Sequence, residues 1–299
     1  MSSGRTSLVA PAVASVWIIW GSTYLAIEIG LETMPPFFMQ GSRFVLASVA
    51  VLSWLKWRGV AWPTWRQTRN ASVIGVMLLI GGLGLVTLSE DRGVDTGLVA
   101  TIIAIQPMLM SLWGGLWRQW PRRWEWLGMV IGLGGVVILV ADNGLSGSWG
   151  GVGLVFLASF NWSLGSAISR RIDMPAGAMT TGIEMAAAAV GYMIISVVRG
   201  ESVDVPSLRS ALAVLYLVSF GSIVAFSAFT FLIATVRPPL AMSYAYVNPL
   251  IAVVLGVLFA DESVSANMAI ALPVILVGVA IVTNASRPSK APTSVGSDS

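Results

Sequence analysis

GLVATIIAIQPMLMSLWGGLW at 97–117 and LAMSYAYVNPLIAVVLGVLF at 240–259 are the two stretches whose reading decides the fold. Neither carries a charge, and each is close to the ~20 residues that cross a bilayer core about 30 Å thick. Each sets an amide beside a proline about ten residues in, Gln106-Pro107 and Asn248-Pro249, at an offset of 142. Met34-Pro35 recurs as Met174-Pro175, at an offset of 140. An offset this steady marks an internal repeat of about 140 residues.

Working outward, apolar stretches of membrane length lie near 8–29, 36–55, 71–89, 97–117, 125–141, 151–169, 177–198, 210–235, 240–259 and 266–284. The expected fold class is therefore an all-α polytopic membrane protein with ten transmembrane helices as two inverted five-helix repeats. A nine-helix count is the rival, because the fifth stretch is short and the break before the ninth rests on Arg237-Pro238-Pro239. Basic residues test the count, since short basic loops resist translocation. With both ends cytoplasmic, thirteen of the 17 Lys and Arg fall inside, Arg92, Arg199 and Arg209 fall outside, and Arg43 lies within a span. The first stretch runs on past Ala12-Val13-Ala14 to Ile29, too far for a cleaved signal peptide, and reads as a retained helix. Five helices per repeat is odd, so the second half enters from the opposite side, as in inverted-repeat carriers. The expected boundaries are 8–141 for the first repeat, 142–150 for a periplasmic connector, 151–284 for the second repeat and 285–299 for a disordered cytoplasmic tail.

Composition agrees with a lipid-embedded chain: 56% of residues are hydrophobic and 10% charged, against about 25% charged in soluble domains. Eight tryptophans, Trp54, Trp57, Trp62, Trp65, Trp117, Trp120, Trp124 and Trp126, gather at the expected cytoplasmic interface as an aromatic belt. There is no Cys and no His, which removes thiolate chemistry and the commonest metal ligand, so neither a metal nor a cofactor is expected. No GxxxxGK[ST] loop is present, so ATP is not an expected partner. An intramembrane hydrolase would lack a base, since Lys56 is interfacial and Lys290 lies in the tail. The basic residues separate apolar runs instead of lining one face, which argues for topology and against nucleic acid.

Candidate substrate-binding residues are those whose polar or aromatic groups interrupt apolar spans. Trp17, Trp20 and Tyr24 recur at i, i+3 and i+7 on one face of the first helix. Asn161 and Trp162 sit on the corresponding helix of the second half, and Tyr244 and Asn248 share a face of the ninth. Gln106 and Asn248 place amides beside Pro107 and Pro249, candidate hinges because proline frees the carbonyl four residues back. Arg43, Glu184 and Glu28 are the intramembrane charges, with Glu184 the first candidate proton carrier and an Arg43–Glu184 pair one way to stabilise both. Gly128, Gly132, Gly134 and Gly135 form a small-residue face for close helix packing, and Gly81, Gly82 and Gly84 read as packing glycines too.

Trp20-Gly21-Ser22-Thr23-Tyr24, Arg43-Phe44, Gln106-Pro107, Ser243-Tyr244-Ala245-Tyr246-Val247-Asn248-Pro249 and Asp261-Glu262 resemble the motifs of EamA-type drug/metabolite transporters. The resemblance covers roughly 8–284. It implies ten helices and export of metabolites, often amino acids including aromatic ones, from a bacterial cytoplasm across the inner membrane. The first repeat departs from the pattern, with Arg118-Gln119 where the second has Asp261-Glu262. The expected function is a secondary transporter that exports neutral amino acids and related small metabolites by alternating access. The alternative is a broad exporter of hydrophobic drugs. Small-molecule substrate and lipid bilayer are the expected partners.

Overall fold

A computed structural model of the chain describes residues 7–94, 96–141, 148–202, 204–259 and 266–286. Asp261-Glu262, most of the connector and the tail from 287 lie outside the described residues. Helix is the only regular structure among the described residues, because in lipid each backbone N–H and C=O is best satisfied within its own segment. The first half contains α1 (Val9–Leu31), α2 (Pro36–Trp57), α3 (Trp65–Glu90), α4 (Thr96–Ile103), α5 (Gln106–Leu116) and α6 (Arg123–Val140). The second contains α7 (Trp149–Ser169), α8 (Ala178–Val198), α9 (Leu208–Thr235), α10 (Pro238–Ala241), α11 (Tyr244–Phe259) and α12 (Ala266–Ala285). Eight stretches among the described residues are long and apolar enough to cross a membrane, with α4 and α5 together forming one of them, Leu98–Leu116. The apolar helices α6 and α11 pack among these eight, α6 along α12 and α11 along α1.

Local chemistry sets the boundaries. Pro36 opens α2 at a position where a missing N–H costs nothing, and Thr64 opens α3 by accepting from Gln67 N in a capping box. Ser207 opens α9 by accepting from Ser210 N. Two helices stop on glycines with positive φ, Gly59 after α2 at 69° and Gly200 after α8 at 66°, a conformation L side chains adopt at a cost. The Thr64 and Ser207 starts recur at an offset of 143 and the two glycine stops at 141. The Arg237-Pro238-Pro239 break is present: Val236 and Arg237 are extended and a short α10 follows.

The third helix of each half also contains a run of wide, π-type turns, Val76–Gly84 in α3 and Leu217–Phe226 in α9. Such turns are uncommon within α-helices and favour functional positions. The two proline stretches differ. The helix breaks at Ala104-Ile105, so Pro107 lies in the first turn of α5, whereas Pro249 lies inside α11 and the break there comes earlier, at Met242-Ser243.

The helices cross in a reciprocal pattern. α2 lies against α8 and α6 against α12, while α1 meets α9 and α11 as α7 meets α3 and α5. The α6–α12 contact is backbone on backbone: a Cβ on Gly278 would stand 2.6 Å from Gly132 N, and one on Gly128 would stand 2.7 Å from Gly278 O. Gly135 meets Ile275, but Gly134 faces open space, so the glycine face is narrower than the sequence predicts. Ser286, placed by the sequence reading in a disordered tail, is buried and donates to Glu125.

Candidate functional site

A cavity of about 740 Å³ lies between the two halves, within the 300–1,000 Å³ typical of small-molecule sites. Its middle is aromatic. Trp20 of α1 and Trp162 of α7, 142 positions apart, meet edge to face at 5.8 Å, and Trp20 also contacts Phe229 at 5.0 Å and Tyr244 at 4.8 Å. Phe229 closes the cluster on Trp162 and Tyr244. The Tyr244 hydroxyl donates to Gln106 Oε1 at 2.8 Å, tying α11 to the start of α5. The wide turns supply two carbonyls, also 142 apart, to aromatic donors: Trp20 Nε1 donates to Gly221 O at 3.2 Å and Tyr192 hydroxyl to Leu79 O at 2.6 Å. Gly82 admits the Trp162 ring, since a Cβ there would stand 2.6 Å from it. Asn248 Oδ1 and Trp162 Nε1 are buried in this lining without a hydrogen-bond partner of normal geometry.

The charges are unevenly placed. Arg43 lines the cavity from α2, 5% exposed, with Nε donating to Ser222 Oγ at 2.7 Å and Nη1 to Gln40 Oε1 at 3.3 Å. Glu28 and Glu90 are exposed and line the same cavity from the far ends of α1 and α3. Leu25 and Leu31, the other well-exposed lining residues, also belong to that part of α1, so the cavity opens there. Ser210 Oγ donates to Ile29 O and Trp17 Nε1 to Ser243 Oγ, so α9 runs back beside α1 and Arg237 comes to the end where α1 begins.

That second end is sealed. The Glu125 side chain, fully buried, accepts from Arg237 Nε at 2.5 Å, Arg237 Nη2 at 2.8 Å, Arg122 N at 2.6 Å and Ser286 Oγ at 2.8 Å. Arg237 also donates to Trp120 O, and Arg122 to Ala285 O. Hydrogen bonding to the Glu125 carboxylate raises Arg237 above the ordinary guanidinium range, so Arg237 keeps its charge. Beside this hub Arg170 donates to Ile233 O and Val236 O. Trp113 Nε1 to Ser163 Oγ, at 3.0 Å, joins the halves one layer deeper.

Of the residues singled out from sequence, Trp20, Tyr24, Glu28, Arg43, Gln106, Trp162, Tyr244, Asn248 and Pro249 line this one cavity. Trp17 stands outside the lining because its indole turns to Ser243. Asn161 also stands outside: its amide donates to Leu157 O and lies against Gly81. Pro107 backs Gln106 without reaching the lining, and its carbonyl accepts from Ser111. Glu184 is buried between α8 and the first half, where its backbone fills the space beside Gly75, and Oε2 has no partner. The Arg43–Glu184 pair is not formed; Ser222 and Gln40 take the guanidinium donors instead. Sequence reasoning missed Gln40, Ser222 and the Glu125–Arg237 hub. Gln40 was findable, since it stands three residues before Arg43 on one helix face. Ser222 and the hub depend on contacts between segments over a hundred residues apart.

The EamA-like transporter family matches this sequence twice, over residues 9–141 and 149–284. The inner membrane transporter YedA of Escherichia coli (strain K12) is 43% identical over 274 residues, 91% of this chain and 89% of that protein. A Salmonella typhimurium protein named "Probable amino-acid metabolite efflux pump" is 24% identical over 160 residues, 52% of each chain. A solved crystal structure at 20% identity superimposes with a TM-score of 0.78 over 94% of this chain and 98% of the other, which speaks for the fold.

Proposed function

The chain belongs to the EamA-like transporter family and is a membrane transporter, and we propose that it exports neutral amino acids, including aromatic and methionine-like ones, by alternating access. In this reading ten helices cross the bacterial inner membrane as two inverted five-helix repeats, 8–141 and 151–284, joined by a periplasmic connector at 142–150. Both termini are cytoplasmic, and the residues after 285 form a cytoplasmic tail. The reciprocal helix contacts, the paired wide turns and the double family match support the repeats. With that orientation the cavity faces outward, and the Glu125–Arg237 hub closes the cytoplasmic side.

One observation carries the substrate reading: an aromatic cluster of Trp20, Trp162, Phe229 and Tyr244 beside the amides of Gln106 and Asn248, one of which keeps an unpartnered oxygen. Aromatic walls stabilise an apolar side chain by burial, and a few fixed polar groups orient the backbone end of an amino acid. The relative named as an amino-acid metabolite efflux pump supports the same class. Pro107 and Pro249 are the proposed hinges, because each stands beside an amide of the site.

The test is counterflow in liposomes. Purified protein is reconstituted with unlabelled methionine, phenylalanine or threonine inside, and uptake of the labelled amino acid is followed without an ion gradient. Saturable counterflow that Trp162→Ala and Asn248→Ala reduce by about tenfold or more supports the reading. No amino-acid movement, with or without a pH gradient, alongside saturable movement of a lipophilic cation would replace it with drug export.

A further inference from the structure

The aromatic and amide groups named above leave one feature of the cavity without a task, the guanidinium of Arg43. It is 5% exposed and faces the cavity that it lines. Its two neutral acceptors, Ser222 Oγ and Gln40 Oε1, orient Nε and Nη1 without cancelling the charge. Phe44 backs it, with Cζ 5.0 Å from the ring centroid. No carboxylate lies within ion-pair distance among the described residues. Gly221 gives the group its room, since a Cβ there would stand 2.9 Å from Arg43 Nη2. A charge is costly inside a membrane and is held there by a counter-charge or a polar cavity. Here the cavity is present and the counter-charge is missing.

We propose that Arg43 binds the carboxylate of the transported solute, so that this carrier selects molecules bearing one carboxylate and rejects lipophilic cations. The inference rests on the carrier reading above and names the substrate class of that same site. Charge-assisted pairing of guanidinium with carboxylate is among the stronger polar contacts and fixes orientation. A single negative charge fits better than a phosphate dianion. Arg43 is the one basic residue of the described lining, and the exposed Glu28 at the mouth disfavours further negative charge. That acid also favours an ammonium at the trailing end, so a zwitterion would enter with its carboxylate leading.

Full-length protein in detergent is titrated by calorimetry with four probes: 3-phenylpropionate, 2-phenylethylamine, phenylalanine and phenylalanine methyl ester. The two carboxylates are expected to bind about tenfold or more tighter than the amine and the ester. Arg43→Gln should abolish that preference, Arg43→Lys should restore part of it, and Gly221→Ala should weaken carboxylate binding while the charge stays in place. Amine or ester binding as tight as the acids, or carboxylate binding unchanged in Arg43→Gln, overturns the proposal. If Arg43→Gln does not fold, the four-probe series on the native protein decides alone. Arg43-dependent carboxylate binding without amino-acid counterflow would sink the amino-acid cargo of the reading above and leave selection of another monocarboxylate by this carrier standing.

Discussion

Two ends of the helix bundle use the same side chain in opposite ways. At the sealed end Glu125 has no exposure and accepts four hydrogen bonds from three other residues, drawing together the start of α6, the turn before α10 and the finish of α12. At the open end Glu28 and Glu90 face the cavity mouth with their carboxylates in reach of solvent. A charge with a full set of partners is part of the framework, and one without them is available to a solute. In the alternating-access reading proposed above, opening the sealed side would part a buried carboxylate from its guanidinium, and the hub would set much of the resistance to switching.

The largest expected effect breaks the sealed end. Arg237→Ala leaves Glu125 short of its main partner and should cost about 2–4 kcal/mol, less than a fully buried pair because Arg237 is 31% exposed. Thermal unfolding of the purified protein measures the loss. The chain has no cysteine, so Ser243→Cys introduces a single thiol just beneath the cavity. A membrane-impermeant maleimide should label it from the hub side only in the Arg237→Ala background. Unchanged stability together with unchanged labelling would show that the hub does not seal.

A smaller loss is expected where the helices bearing the hub touch by backbone. Gly278→Val should cost about 1–3 kcal/mol by overpacking, whereas Gly134→Ala, facing open space, should leave the melting temperature unchanged. Equal losses at the two glycines would refute the contact. The smallest effect belongs to the open end. Glu28→Gln and Glu90→Gln should alter stability by no more than about 0.5 kcal/mol, and a drop as large as that of Arg237→Ala would erase the contrast between the ends.

Much of the cavity was legible in the sequence because polar and aromatic groups stand out against apolar spans. Trp20, Gln106, Tyr244 and Asn248 were found that way, and so was Arg43. Spacing alone did not separate neighbours on a broad face. Trp17 and Trp20 share one side of α1, yet one indole turns to Ser243 and the other into the cavity. Asn161 and Trp162 are adjacent, about 100° apart around a helix, so only one faces inward. The hub was invisible for a different reason. Glu125 and Arg237 look like ordinary interfacial charges until α6 and the loop before α10 are brought together, and nothing local specifies that meeting. The wide turns had no sequence signal beyond glycines that packing already explained.

Those wide turns have a consequence for chain register. A π-type turn holds an extra residue relative to an ordinary helical one, so Val76–Gly84 sets the rotational phase of everything after it in α3. Deleting one residue there would turn the rest of the helix by about 100° and swing Thr87 and Glu90 off the cavity wall while their sequence stayed intact. Leu217–Phe226 holds the same control over α9, where Phe229 and the approach to Arg237 follow. In each half, then, the winding of one helix decides which face its last turns present, and a single-residue insertion or deletion in that short run would re-aim the wall without changing any of its side chains.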